Sequence, residues 1–284
     1  MKTFLVSFII ALSCNFSYSQ EITIECNFLY TRITDSSTSA YLCMLSKQQI
    51  SATATSIKFT GNHQSGKTDA SVLGFLITDC NVPSFNYVLM DAMHSQFPNI
   101  KYIEVFASNV QEIVPGAFNR SANSEKILKV HFLFNNIKTL ADGAFSGLTS
   151  VENFRFVSNR LQTVSEDAFK GMKSVTRLDL QYNHIKVLPK NVFKSMFLLG
   201  SIDISNNLIE VIDGEIFDGN EMLQYIYISY NQIKAIGRRF FAGLYQFNDI
   251  SAYNNLCVSN TFRYREAAMR GFEKCFDNYD ILFP

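Results

Sequence analysis

Residues 175–199 read VTRLDLQYNHIKVLPKNVFKSMFLL, and their pattern recurs on both sides at a fixed pitch. Val175, Leu178, Leu180, Ile185 and Leu188 are apolar, Asn183 stands among them, and Phe193 follows ten residues after it. Twenty-four residues upstream, Val151, Phe154, Phe156, Asn159, Leu161, Val164 and Phe169 fill the same places. Ile127, Val130, Phe132, Asn135, Ile137, Leu140 and Phe145 do so one unit earlier. Downstream come Leu199, Ile202, Ile204, Asn207, Ile209, Ile212 and Phe217, then Leu223, Ile226, Ile228, Asn231, Ile233, Ile236 and Phe241. Chance does not hold seven positions in register over five units. Each unit must be one structural turn that buries its apolar face against its neighbours.

The motif is L-x-x-L-x-L-x-x-N-x-L with a later Phe, and the chain resembles the leucine-rich-repeat proteins of the 24-residue extracellular type. The resemblance implies an α/β-type solenoid, a horseshoe with a parallel concave sheet and disulfide-bonded caps at both ends. Strands are expected to centre on Ile103, Val130, Phe154, Leu178, Ile202, Ile226 and Ile250, because each repeat supplies the crossover that parallel strands need. Phe118, Phe145, Phe169, Phe193, Phe217 and Phe241 are expected to form a buried convex spine. The repeat asparagine carries an amide suited to bonding buried backbone groups between coils.

Upstream the pattern loosens. Ala54, Ile57, Phe59 and Asn62 fit poorly, Leu73, Leu76, Thr78 and Asn81 fit better, and Ile100, Ile103, Val105 and Val110 flank Ser108 at the asparagine place. Asparagine-position spacings of 19, 27 and 27 residues precede five of 24. This gives about nine repeats over residues 54–256, the first three irregular, between an N-terminal cap at 20–53 and a C-terminal cap at 257–284. In the N-terminal cap, residues 21–26 alternate like a strand that covers the open sheet edge, with residues 34–39 as the following turn. In the C-terminal cap, residues 261–274 favour helix, and Phe262, Met269 and Phe272 are placed to pack back on the last coil.

Residues 1–19 read as a signal peptide: Lys2, an apolar run at 4–12, and small residues Ser17 and Ser19. The run is too short to span a bilayer, so the expectation is a secreted, extracellular protein without a membrane span. Secretion favours disulfides. Beyond Cys14, the five cysteines are Cys26, Cys43, Cys80, Cys257 and Cys275, a pair at each end and one over. Cys26–Cys43 and Cys257–Cys275 are the expected bridges, with Cys43–Cys80 as an alternative that orphans Cys26. A lone Cys80 would either lie inert among apolar neighbours or bridge two chains in a homodimer. Asn119 heads the sequon Asn119, Arg120, Ser121 and is the expected glycosylation site.

Charge balances at 25 basic and 25 acidic residues, giving no field that favours nucleic acid. Residues 61–68, GNHQSGKT, match a phosphate-binding loop. A crossover helix does not fit between this segment and the next apolar run, so a hydrophilic turn is expected. The four histidines lack metal-ligand spacing, and no nucleophile motif occurs. Neither cofactor nor enzymatic activity is expected.

The expected site is the concave face. Counted six, four and two residues before each repeat asparagine, the outward positions form three zones. The first is apolar: Phe75, Ile77, Tyr102, Phe106, Leu133 and Val157. The middle is charged: Lys129, His131, Arg155, Arg177, Asp179 and Asp203. The last is Tyr225, Tyr227 and Tyr253. Exposed apolar surface marks an interaction site unless the protein's own cap covers it. Recognition of an extracellular protein ligand is the leading expectation, with self-association as a structural protein, or glycan or lipid recognition, as the alternatives.

Overall fold

The computed structural model of the chain describes residues 20–33, 39–119 and 123–283. The signal-peptide reading, most of the cap turn and the sequon residues Arg120 and Ser121 fall outside these residues. Among the described residues the dominant feature is one eleven-stranded sheet. Nine of its strands run parallel: Ser39–Ser46, Gly74–Thr78, Tyr102–Phe106, Lys129–Leu133, Asn153–Arg155, Arg177–Asp179, Ser201–Asp203, Tyr225–Tyr227 and Asp249–Ser251. All seven expected strand centres lie in these strands. Each end is closed by an antiparallel strand, Asn27–Arg32 against Ser39–Ser46 and Thr261–Phe262 against Asp249–Ser251. Both sheet edges are thereby covered, as a solenoid requires.

Between coils, the asparagine amides form a continuous ladder. Asn183 Oδ1 accepts from the Leu161 N–H (3.0 Å), and its Nδ2 donates to the carbonyls of Phe156 (2.7 Å) and Leu180 (2.9 Å). Asn207, Asn231 and Asn255 repeat this bonding on the coils before them. The residue before each ladder position has a left-handed backbone, from Phe134 through Ser158, Tyr182, Asn206 and Tyr230 to Asn254. The same signature upstream falls on Lys47, Asp79 and Ala107, with a second left-handed residue, Asn109, just after Ser108, which itself takes the ladder bonds to the Ile77 and Phe106 carbonyls. It therefore assigns Gln48, Cys80 and Ser108 to the ladder.

That assignment corrects the register of the second irregular repeat. The ladder residue there is Cys80, whose thiol donates to the Thr78 carbonyl (3.4 Å) and accepts from the Gln48 N–H (3.4 Å). Asn81 belongs to an outer chain of amides in which Asn136, Asn109, Asn81 and Gln49 bond in succession at 2.7–2.8 Å. A one-residue shift turns a strand over. Phe75 and Ile77, expected on the concave surface, pair with Ile103 and Val105 and are fully buried.

The first expected repeat is also different. Ser56–Thr60, which carries Ile57 and Phe59, pairs with Glu21–Glu25 in a separate two-stranded sheet, and the concave strand of that coil is Ser39–Ser46. Cap and first coil thus interleave, and Asn27–Arg32, rather than residues 21–26, covers the sheet edge. The coil after Gly74–Thr78 is long because it holds a helix, Tyr87–Gln96, capped by the Asn86 side chain on the Leu89 N–H. The Gln96 amide bonds both the N–H and the C=O of Phe59, joining this helix to the cap.

All six spine phenylalanines are buried. Ring centroids from Phe118 through Phe145, Phe169 and Phe193 to Phe217 are 5.9–6.3 Å apart. The stack begins one coil earlier, at Phe85, and at its far end passes from Phe217 to Phe240 (5.3 Å) and on to Phe272. At the C-terminus, helices Arg265–Gly271 and Glu273–Leu282 close the solenoid with Phe272 and Phe276 buried. Met269, expected to pack inward, is exposed. Arg238 holds the second helix from outside through Glu273, Asp277 and Asp280. Cys26–Cys43 and Cys257–Cys275 are bridged, with Cα atoms 5.2 and 5.1 Å apart.

Candidate functional site

The concave face is built from side chains that the strand alternation turns away from the core, so their placement is set by backbone pairing. At its N-terminal end Tyr102 and Leu76 pack against Ile33, Ala40 and Leu42, which the cap contributes to this face. The cap therefore covers part of the apolar zone. Phe106 escapes it, lies exposed, and meets the exposed ring of Phe134 at 5.2 Å. Leu133 is half-buried, and Val157 is nearly covered.

The charged zone is internally neutralised. His131 is fully buried, with Nε2 3.1 Å from Asn153 Oδ1 and Nδ1 3.5 Å from Glu104 Oε1. Arg155 Nε donates to Asp179 Oδ2 at 3.0 Å, and the Gln181 side chain bonds the same oxygen at 3.1 Å. Such bonding fixes the floor and leaves Lys129 half-buried and Arg177 exposed above it. Asp203 makes no ion pair among the described residues. Burial raises its carboxyl above the usual range, against bonds from Ser205 and the distant pull of Arg155.

Next to Asp203 the face opens into a shallow cavity of ≈ 350 Å³ lined by Arg177, Asp179, Asp203, Tyr225 and Tyr227. Tyr225 and Tyr227 are half-buried and Tyr253 is exposed. Partial burial raises the Tyr227 phenol, with Asp249 and Asp203 adding to the shift. A cavity with two phenols, a guanidinium and a partly desolvated carboxylate can take up polar side chains. No cluster of His, Cys, Asp or Glu among the described residues has the arrangement of a metal site.

The phosphate-loop match at residues 61–68 folds into the N-terminal cap. Lys67 Nζ lies 5.4 Å from the centre of the Tyr30 ring, and Thr68 opens a single turn, Asp69–Ser71. His63 stacks on Phe28 at 3.9 Å and links the Tyr41 hydroxyl to Asp69 Oδ1. A side chain at Gly61 would collide with the Cys26 carbonyl, which accounts for that glycine. Asn119 is exposed. Cys80 is 5 % exposed and burial pushes its thiol pKa up, the opposite of a reactive cysteine.

One set of surface residues escapes the column count. The left-handed position before each ladder residue projects at the rim of the concave face, and Phe134, Tyr182 and Tyr230 occupy it with 54–55 % exposure. Their signal in the sequence is a spacing of 48 residues, two repeats.

The BspA type leucine rich repeat region matches residues 122–248 in six copies. No curated protein sequence matches the chain. The LRIM1/APL1C complex is similar in structure, with a TM-score of 0.63 at 16 % identity over 85 % of this chain and 40 % of that one. The APL1 leucine-rich repeat domain gives 0.61 at 16 % identity over 84 % and 55 %. The TLR13–ssRNA13 complex gives 0.61 at 18 % identity over 78 % and 31 %. The fold is thus the leucine-rich-repeat horseshoe, and the chain spans from a third to about half the length of these neighbours.

Proposed function

We propose that the chain is a secreted binding module that holds an extracellular protein on its concave face and performs no chemistry. The observation that carries this reading is a rigid floor with separated contact groups. The Arg155–Asp179 pair and the buried His131 immobilise the centre, while Phe106, Arg177, Tyr227 and Tyr253 stand out from it. Tyr and Arg supply a disproportionate share of interface energy, and pre-ordered side chains lose little entropy on binding. Two disulfides and the leader-like start support secretion. Asn119, exposed and heading a sequon, is the glycan acceptor in this reading. A covalent homodimer through Cys80 has little support, since the thiol is buried and bonded.

The test starts with affinity capture of the partner from native secretion fluid, followed by titration against variants. Phe106→Ala, Arg177→Ala and Tyr227→Ala should each weaken association by about 1 kcal/mol or more, and Lys170→Ala, on the outer side, should leave it unchanged. Equal losses from both groups would move the site off the concave face.

A further inference from the structure

The rim row poses a problem that the fold alone does not answer. Every coil needs a left-handed residue before its ladder position, and that backbone suits Gly, Asn or Asp. Asp79, Asn206 and Asn254 meet the need cheaply. Phe134, Tyr182 and Tyr230 meet it with φ of 56° each and bulky side chains that are more than half exposed, so core packing does not repay the strain. Ser158, Asn206 and Asn254 alternate with them, giving large, small, large, small along six coils.

The spacing of the row is fixed by main-chain bonds. The N–H of Phe134 donates to Val157, that of Ser158 to Gln181, Tyr182 to Ser205, Asn206 to Ser229, and Tyr230 to Tyr253, all at 2.7–3.2 Å. These bonds continue the strand ladder through the rim, so the backbone positions that carry the aromatic side chains recur every two strand spacings, about 10 Å. No ring lies against Tyr182 or Tyr230 among the aromatic contacts of the described residues, Phe134 meets Phe106 at 5.2 Å and is still more than half exposed, and Ser158 and Asn206 separate the three with small polar groups.

The geometry points to a linear β-1,4-linked glycan lying along this rim, stacked on Phe134, Tyr182 and Tyr230. An extended chain of that linkage repeats by one disaccharide, a length close to the ring spacing, and offers equivalent apolar sugar faces at that repeat. Ser158 and Asn206 lie between the aromatic positions, where hydroxyls of the intervening sugars would pass, and Asn254 follows the last of them. An extended peptide repeats every two residues at about 7 Å and falls out of step with the rings. An α-helix read at every seventh residue matches the spacing, about 10.5 Å, but needs a continuous apolar seam. The polar residues between the rings break such a seam. Balanced charge on the chain gives no pull on a polyanion. This row touches the protein-contact face only where Phe134 meets Phe106 (5.2 Å). Tyr182 and Tyr230 are not among the groups assigned to a protein partner, and failure of the row would leave that reading standing.

The test uses the full secreted chain with cellohexaose and chitohexaose as probes, maltohexaose as the α-linked control, and calorimetric titration. At least one β-1,4-linked probe should bind, with maltohexaose at least about tenfold weaker, a gap of 1.4 kcal/mol. Tyr182→Ala and Tyr230→Ala should each lower affinity by about tenfold, Tyr182→Trp should retain it, and Tyr245→Ala, an exposed tyrosine off the row, should have no effect. Tyr182→Asn should melt no lower than the parent, which separates lost binding from lost folding. The proposal is overturned by no binding of either β-linked probe, by equal binding of maltohexaose, by unchanged affinity in both tyrosine-to-alanine variants, or by a heptad-patterned helical peptide that binds the rim in place of the sugars.

Discussion

At a ladder position an amide does two things that an isosteric leucine cannot: it accepts from one coil and donates to carbonyls of another. Asn183→Leu would strand the Leu161 N–H and the Phe156 carbonyl in a dry interior. The expected loss is about 1–3 kcal/mol, read as a lower urea midpoint, and a variant that melts with the parent would refute the ladder at this coil. The converse holds at Cys80, whose thiol is a weak donor and acceptor at the same place. Cys80→Asn should add about 1 kcal/mol, measured in the same titration. This position also shows where the sequence misleads. Asn81 has the residue type of the ladder and Cys80 has the geometry, and only the left-handed turn at Asp79 distinguishes them. A reading by residue type therefore slips by one and puts Phe75 and Ile77 on the wrong face. His94 carries the third residue-scale prediction. Burial, with Lys126 nearby, pulls its pKa down to about 4, so the folded state keeps it neutral. An unfolded histidine titrates near 6.5, and between these values the unfolded chain binds the additional proton. Stability should therefore fall by about 2–4 kcal/mol from pH 7 to pH 4 on account of this group. His94→Gln should flatten that part of the profile.

Elements show what a period can and cannot fix. The repeat, at a pitch of 24 residues after one longer step of 27, places seven concave strands and six buried phenylalanines because every unit obeys the same constraint: bury one face against a copy of itself. Phe193 lies between Phe169 and Phe217 at 6.3 and 5.9 Å, so truncation opens a cavity that two neighbouring coils must share. Phe193→Ala should cost about 3–5 kcal/mol, with faster hydrogen exchange in the strands Arg177–Asp179 and Ser201–Asp203 as the local readout. Where repetition stops, so does legibility. Residues 21–26 alternate as a strand does, but alternation carries no information about which strand it will pair with. The chain uses Glu21–Glu25 against Ser56–Thr60 and covers the concave edge with Asn27–Arg32. At the other end Phe240 and Phe241 stand side by side in the turn Arg238–Phe241, and the Phe217 ring meets Phe240, while Phe241 packs edge-on against Phe240 and Phe272. On the concave face the columns are readable from Tyr102 onward, but their exposure is not. Burial there depends on cross-strand partners such as His131 with Asn153, which pairing decides and composition does not.

For the whole molecule, the question is whether the solenoid unfolds as one unit or frays from its ends. Each interior coil is held on both faces by the ladder, the spine and the sheet, whereas each terminal coil has a cap on one side. In the C-terminal cap the attachment comprises the two-residue strand Thr261–Phe262, the buried Phe272 and Phe276, the Cys257–Cys275 bridge, the Arg238 ion pairs and the bonds of Arg265 and Asn278 to the carbonyls of Phe241 and Lys234. A bridge closing a loop of 18 residues contributes about 3 kcal/mol by constraining the unfolded segment. Removing it by Cys257→Ser and Cys275→Ser should loosen the cap and let the edge of Asp249–Ser251 open to water more often, with Arg238 and the buried Phe272 and Phe276 still holding the helices in the folded state. Stability in such an array is a sum over coils and the interfaces between neighbours, so the loss should decay along the chain. Amide exchange should accelerate most in Asp249–Ser251, less in Tyr225–Tyr227, and not measurably in Lys129–Leu133. The intact Cys26–Cys43 bridge keeps the far end as an internal reference. Uniform acceleration in all nine parallel strands would mean that the coils are coupled tightly enough to open only together, and would replace the additive picture with a single cooperative one.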